Sequence, residues 1–274
     1  MKLDKIGIWS EIKLEIIKKY ASAYTSIMSK QNWCKGYVYI DAFAGAGRHI
    51  SRKTGELVLG SPLNALEIRP PFREYHFIDL DEDRADVFKQ IAVENPDVHS
   101  YHGNCNEILI KDIFPKLTYD SFKRALCIFD PYGLDLKWET IKKGADLKTI
   151  DIFLNFSIMD ANRNVLVEDL SMAKQEDIER MSTFWGDTSW KELIYKEQKN
   201  LFGESRQIKV DNFKRLALGF RERLRKAAGF KHVPEPVLMR NTKNGPLYYL
   251  YFASQQDVAN NIINDIFNKY RRTL

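Results

Sequence analysis

The chain has 274 residues, 44% of them hydrophobic, enough to bury one sizeable core but cramped for two, and its net charge of +5 tolerates a polyanionic partner without demanding one. Cys34, Cys105 and Cys127 lie far apart, which excludes a disulfide framework or a CxxC metal or redox motif and favours a reducing, cytoplasmic setting. The start, Met1-Lys2-Leu3-Asp4-Lys5, has no apolar leader segment, and the best apolar stretch, Ile150 to Met159, is short and carries Asp151 and Asn155, so neither export nor membrane insertion is expected.

Residues 9–30 read as an amphipathic helix, with Ile12, Ile16, Tyr20, Ala23 and Ile27 recurring at steps of three and four. A strand follows at Tyr37–Asp41, then a glycine-containing turn, a loop from Arg48 to Gly60, and a helix at Pro62–Ile68. Strand and helix keep alternating: Tyr75–Asp79, Asp83–Asn95, Val98–His102 and Glu107–Phe114. Ala125–Phe129 and Ile150–Phe156 are unbroken apolar runs, as expected of central parallel strands covered on both faces. The polar stretch 160–206, around Trp185, Gly186 and Trp190, reads as a helical insertion. A helix over Asp211–Ala228 then precedes two strands, Val237–Arg240 and Leu247–Phe252, joined through the hairpin signal Asn244-Gly245. The pattern predicts one α/β domain, 1–274, built on an open, doubly wound sheet.

Four motifs fall at strand ends, where open α/β sheets place their ligands. In Asp41-Ala42-Phe43-Ala44-Gly45-Ala46-Gly47 a carboxylate ends a strand and two glycines allow close approach to the backbone. A dinucleotide fingerprint needs a third glycine where this chain has Ile50, and Asp41 would repel a pyrophosphate. S-adenosylmethionine (SAM), which brings an ammonium and a sulfonium, suits that carboxylate. Asp79 closes the second strand, where a carboxylate can accept both ribose hydroxyl protons, while Asp81 and Asp83 read as caps of the next helix. His102-Gly103-Asn104-Cys105-Asn106 offers polar groups to an adenine edge; alternation sends His99 and His102 to opposite faces, which argues against a metal.

The fourth motif, Asp130-Pro131-Tyr132-Gly133, partly matches the [Asp/Asn]-Pro-Pro-[Tyr/Phe] element of amino-group methyltransferases, in which the acid and a backbone carbonyl accept from the target NH2 and the aromatic stacks on the base. Arg48, His49, Arg52 and Lys53 lie just after the glycine turn, placed to meet substrate phosphates. Lys209, Lys214, Arg215, Arg221, Arg223, Arg225, Lys226 and Lys231 decorate the helix near 211–228 as a second candidate nucleic-acid surface.

With these residues in place the chain resembles the three-Cys-motif partner protein family and, more distantly, ribosomal RNA adenine-N6 methyltransferases. The carriers span nearly the whole chain: Trp9-Ser10 with Lys13 and Tyr20, Tyr39 to Gly47, Gly60-Ser61-Pro62-Leu63, Phe77-Ile78-Asp79, Gly103 to Asn106, Phe129 to Gly133, Phe184-Trp185-Gly186 and Pro246-Leu247-Tyr248. The resemblance implies a Rossmann-like class I SAM methyltransferase fold, with a seven-stranded, mostly parallel sheet and a C-terminal antiparallel hairpin. It implies a cofactor site of Lys13, Asp41, Phe43, Ala44, Gly45, Gly47, Ser61, Asp79, Asn104 and Cys105, with Lys13 and Ser61 at the methionine end, Asp79 at the ribose and Asn104 at the adenine. Asp130, Pro131 and Tyr132 would receive the amine. Asn104 replaces the usual acid, and Tyr132-Gly133 replaces Pro-Tyr or Pro-Phe. The expected function is methyl transfer to an exocyclic amine on RNA or DNA; the alternative is a SAM-binding partner of a cysteine-rich, radical-SAM or photolyase-like protein.

Overall fold

The computed structural model describes residues 3–199, 205–210, 213–241 and 243–271. Its elements are β1 (Lys5–Ile6), α1 (Ile8–Met28), β2 (Gly36–Asp41), β3 (Arg48–Ser51), β4 (Leu57–Leu59), α2 (Ser61–Glu67), β5 (Glu74–Asp79), α3 (Glu82–Glu94), β6 (Val98–His102) and α4 (Cys105–Ile108), the last continued by a π turn, Leu109–Ile113. Then come β7 (Lys123–Phe129), α5 (Trp138–Asp146), β8 (Ile150–Phe156), α6 (Ile158–Asn164), α7 (Gln175–Trp185), α8 (Trp190–Ile194), β9 (Tyr195–Lys199) and β10 (Ser205–Lys209). The chain closes with α9 (Phe213–Lys226), β11 (Val237–Arg240), β12 (Pro246–Ala253) and α10 (Asp257–Arg271).

Seven strands form the main sheet in the order β11-β12-β8-β7-β2-β5-β6. The pairs β8-β7, β7-β2, β2-β5 and β5-β6 are parallel, whereas β12 runs antiparallel to both neighbours. This mixed α/β sheet, with its hairpin delivering the single reversed strand, is the arrangement the sequence leads one to expect. Alternation along the central strands builds two cores. Ile40, Cys127, Ile152 and Leu154 pack on one face with Trp185, Phe220 and Leu224; Tyr39, Ile128, Phe153 and Phe252 pack on the other with Ile16, Tyr20 and Phe267. Both faces of β2, β7 and β8 are therefore dry, which explains their unbroken apolar runs.

Two expectations are corrected. The stretch from Arg48 to Gly60 is not a loop: β3 and β4 pair antiparallel, and β1 joins β3 in parallel to make a separate three-stranded sheet. The turn between them uses Gly55 at φ +76°. The insertion 160–206 is also not wholly helical, since β9 and β10 pair antiparallel from Tyr195↔Lys209 to Lys199↔Ser205. The first two residues of the expected helix Asp211–Ala228 lie outside the described residues, and α9 covers Phe213–Lys226, two residues short of the expected end. Among the described residues, no helix is long and apolar enough to cross a membrane.

Gly186 ends α7 at φ +102°, and a Cβ there would sit 2.5 Å from the Trp138 ring. Gly229 has φ +91° with open space around it. Gly186→Ala is expected to lose about 3 kcal/mol from strain and overpacking together, against about 1–2 kcal/mol from strain alone for Gly229→Ala. Urea unfolding of the two variants checks the order.

Candidate functional site

Strands β7, β2 and β5 are neighbours, and each delivers a carboxylate at or just past its C-terminal end: Asp130, Asp41 and Asp79. Asp41 is fully buried. Its Oδ1 accepts from the Phe43 N–H at 3.3 Å, whereas Oδ2 has no hydrogen-bond partner. Burial pushes its pKa up to about 7; the nearby Ser61 hydroxyl pulls it down, Asp130 adds to the rise, and Lys13 opposes it. The turn beyond is pinned to both adjacent strands, since Ala42 N–H donates to the Ile128 carbonyl at 3.0 Å and Ala44 N–H to that of Ile78 at 2.9 Å. Gly45 and Gly47 take positive φ, and a Cβ at Gly47 would press on Leu63 and Phe88 at 3.2 Å. Asp79 braces this turn, its Oδ2 accepting from Gly45 N–H at 2.7 Å and its Oδ1 from Asp81 N–H at 2.9 Å.

Lys13 comes from α1, is buried, and forms an ion pair with Asp130. Burial alone would lower its pKa, but Asp130, then Tyr248 and Asp41, more than reverse this and hold it above the ordinary lysine value. Its ammonium lies 5.2 Å from the Tyr248 ring centroid. The other Asp130 oxygen accepts from Asn155 Nδ2 at 2.8 Å, leaving the buried Asn155 Oδ1 without a partner. Pro131 is buried, while Tyr132 is 72% exposed. The Tyr132 hydroxyl donates to Asp4 at 3.0 Å and accepts from Arg84 at 3.2 Å, so the ring is latched to the N-terminal segment and α3. Gly133 contributes no side chain, and a Cβ there would meet Asp160 Oδ2 at 2.7 Å.

Asn104 caps α4, its Oδ1 accepting from the Asn106 backbone at 2.9 Å and side chain at 3.0 Å. The Cys105 thiol is buried and its pKa pushed up to about 12, which makes it inert packing. Asp81 caps α3 as the sequence suggests, accepting from Arg84 N–H at 3.1 Å. Ser61 opens α2 and lies beside Asp41. His49, on β3, turns inward: its Nδ1 is buried without a partner, and burial, then Lys13, lower its pKa. Arg48, Arg52 and Lys53 stay exposed. In contrast, the cations around α9 are engaged within the chain. Arg223 donates to the Trp185 carbonyl and pairs with Asp187, Arg221 donates to the Val233 carbonyl, and Arg225 and Lys226 pair with Glu222. Lys209 and Lys231 also have partners, as do Lys214 and Arg215.

Asn106, part of the strand-end motif but given no role of its own there, turns out to be a structural anchor. Buried, it donates to the Asp135 carbonyl at 3.0 Å and accepts from Lys137 N–H and the Thr140 hydroxyl, both at 2.8 Å, so it fastens the segment after Asp130. The only hint was its place in Asn-Cys-Asn at a strand end.

No family model matches the chain, and no curated protein does. Among solved structures, it is similar to protein LPL1258 of Legionella pneumophila, with a TM-score of 0.53 and 11% identity over 94% of this chain and 91% of that one. At lower similarity stand the METTL16 MTase domain, with a TM-score of 0.41 and 12% identity over 87% and 67%, and a S-adenosylmethionine-dependent methyltransferase from Clostridium acetobutylicum, with 0.40 and 9% over 88% and 92%. At such identities the likeness to LPL1258 is one of fold.

Asn106→Ala removes four side-chain hydrogen bonds, to Asn104, Asp135, Lys137 and Thr140, and is expected to cost about 2–3 kcal/mol, against about 1 kcal/mol for the cap variant Asn104→Ala. Chemical denaturation of both variants measures the difference.

Proposed function

We propose that this chain is a SAM-dependent methyltransferase acting on an exocyclic amine, adenine N6-like, of a nucleic-acid base. The observation that carries the reading is the buried Asp41 carboxylate, at the head of a glycine turn and with one oxygen unpartnered. A buried carboxylate oxygen in that position calls for a cationic ligand and is hostile to a pyrophosphate. The seven-stranded sheet, parallel but for β12 of the C-terminal hairpin, agrees with what the resemblance to class I methyltransferases implies.

In this reading Asp41, Lys13 and Ser61 hold the methionine end of the cofactor, Asp79 the ribose hydroxyls and Asn104 the adenine. Phe43, Ala44, Gly45, Gly47 and Cys105 form the wall. Bound there, SAM supplies an already activated methyl group, so the chain's residues have to orient rather than exchange protons. Asp130 accepts an N–H of the target amine, with Lys13 and Asn155 fixing the carboxylate. Pro131 and Tyr132 complete the receiving loop, and His49, Arg48, Arg52 and Lys53 line the approach for a phosphate backbone. A single-stranded or looped target spares the few kcal/mol of base flipping.

A second reading, a SAM-binding partner of a cysteine-rich protein, is favoured by one feature. The ring of Tyr132 is tied to Asp4 and Arg84, and Gly133 offers nothing to stack on a base.

Two measurements test these readings. An ammonium beside Asp41 stabilises its ionised form, so binding below pH 7 expels a proton. Calorimetric affinity for S-adenosylhomocysteine should therefore climb between pH 5 and 7, by at most about tenfold per unit, and Asp41→Asn should flatten the climb. A flat wild-type profile contradicts the assignment of Asp41. For the chemistry, labelled methyl transfer from SAM to single-stranded RNA and DNA should fall by about a hundredfold or more in Asp130→Ala. Cofactor binding without any transfer by the wild-type chain would select the partner reading.

A further inference from the structure

At the opposite edge of the sheet from the three carboxylates, where β7 and β8 begin, α1 and the first turn of α10 enclose a cavity of about 330 Å³. That volume falls in the range of small-molecule sites. Arg124 and Asp130 stand six residues apart along and just past β7, so the cavity is about 20 Å from the candidate methyl-transfer site.

The walls are aromatic: Tyr24, Trp33 and Tyr119. Tyr24 is held by stacking on Phe72, with ring centroids 5.9 Å apart, yet its buried hydroxyl has no hydrogen-bond partner. Beside it lies buried Asp151, whose two oxygens are taken by the Tyr20 and Ser254 hydroxyls. Arg124 sits between two rings, its guanidinium carbon 4.6 Å from the Trp33 centroid and 4.8 Å from that of Tyr119. It donates to the Lys123 carbonyl at 2.7 Å, and among the described residues no carboxylate pairs with it. Lys148, exposed and at φ +57°, adds a second cation to the lining.

These features set a polarity. An apolar, aromatic interior takes a flat ring, and an unpartnered phenol takes a polar atom on it. Two cations near the start of α10 favour an anion, which the Asp151 carboxylate keeps away from the interior. We propose that this cavity binds a planar heteroaromatic molecule carrying an anionic group, its ring against Tyr24, Trp33 and Tyr119 and its anion on Arg124 and Lys148. A mononucleotide and an aromatic carboxylate share that chemistry.

The test is calorimetric titration of the full chain with adenosine monophosphate and with indole-3-acetate, with adenosine and inorganic phosphate as the ring alone and the anion alone. One of the two anionic rings should bind below millimolar, with adenosine and phosphate at least about tenfold weaker. Preference for the nucleotide or for the carboxylate identifies the source. Arg124→Gln should weaken binding by about tenfold or more. Tyr24→Phe should weaken it while raising the melting temperature, because the unpaired hydroxyl is gone; a purely structural tyrosine would move only the latter. Asp79→Ala should leave binding unchanged. No binding of either anionic ring, undiminished binding in Arg124→Gln, or loss in Asp79→Ala overturns the proposal, and the last assigns the probe to the other site.

Discussion

The ion pair between Lys13 and Asp130 joins the first helix to the carboxyl edge of the central strand β7, and much of the candidate site is arranged around it. A lysine ammonium buried as Lys13 is needs a counter-charge and further polar contacts to hold its charge there. Here Asn155 takes the second Asp130 oxygen, Tyr248 offers its ring to the ammonium, and Asp41 adds a further negative field. Helix α1, strand β8 and the reversed strand β12 thus meet at one carboxylate. Because Lys13 already pairs with Asp130, Asp41 is left as the carboxylate with an unpartnered oxygen.

Around that centre the sheet divides the molecule into two unlike cores. The face under α9 is an aromatic cluster in which Phe184 stacks on Phe220 at 5.1 Å, with Phe156, Trp185 and Tyr251 packed against the same ring. The opposite face holds tyrosines whose hydroxyls need partners, Tyr20 finding Asp151 and Tyr24 none. The insertion is thereby part of the core rather than an appendage, and the aromatic cap explains why Gly186, next to Trp138, must remain small.

The strands of the main sheet were legible because each is a local signal: Ala125–Phe129 and Ile150–Phe156 are dry on both faces, and no pairing partner has to be known to read them. The carboxylates were legible for the same reason, since a strand end is visible where an apolar run meets Asp41, Asp79 or Asp130. The small sheet was not. Its strands are two to four residues long, and β1 pairs with residues 45 positions later, Lys5 with Ile50. Asn106 was missed because what it holds, from Asp135 to Thr140, lies about 30 residues on. The Lys13 to Asp130 contact spans 117 positions, and while Asp130 stood out in its strand-end motif, only the family resemblance hinted at a role for Lys13. The latch of Tyr132 on Asp4 and Arg84 left no trace in periodicity or spacing.

The outer rim of the sheet has a consequence of its own. Strand β11 is four residues long and slips register between Met239 and Arg240, where its partner residue is Pro246. A short, kinked border ending in an arginine makes a poor template for a foreign strand. The chain therefore carries, at the border beside its reversed strand, its own protection against edge-to-edge stacking.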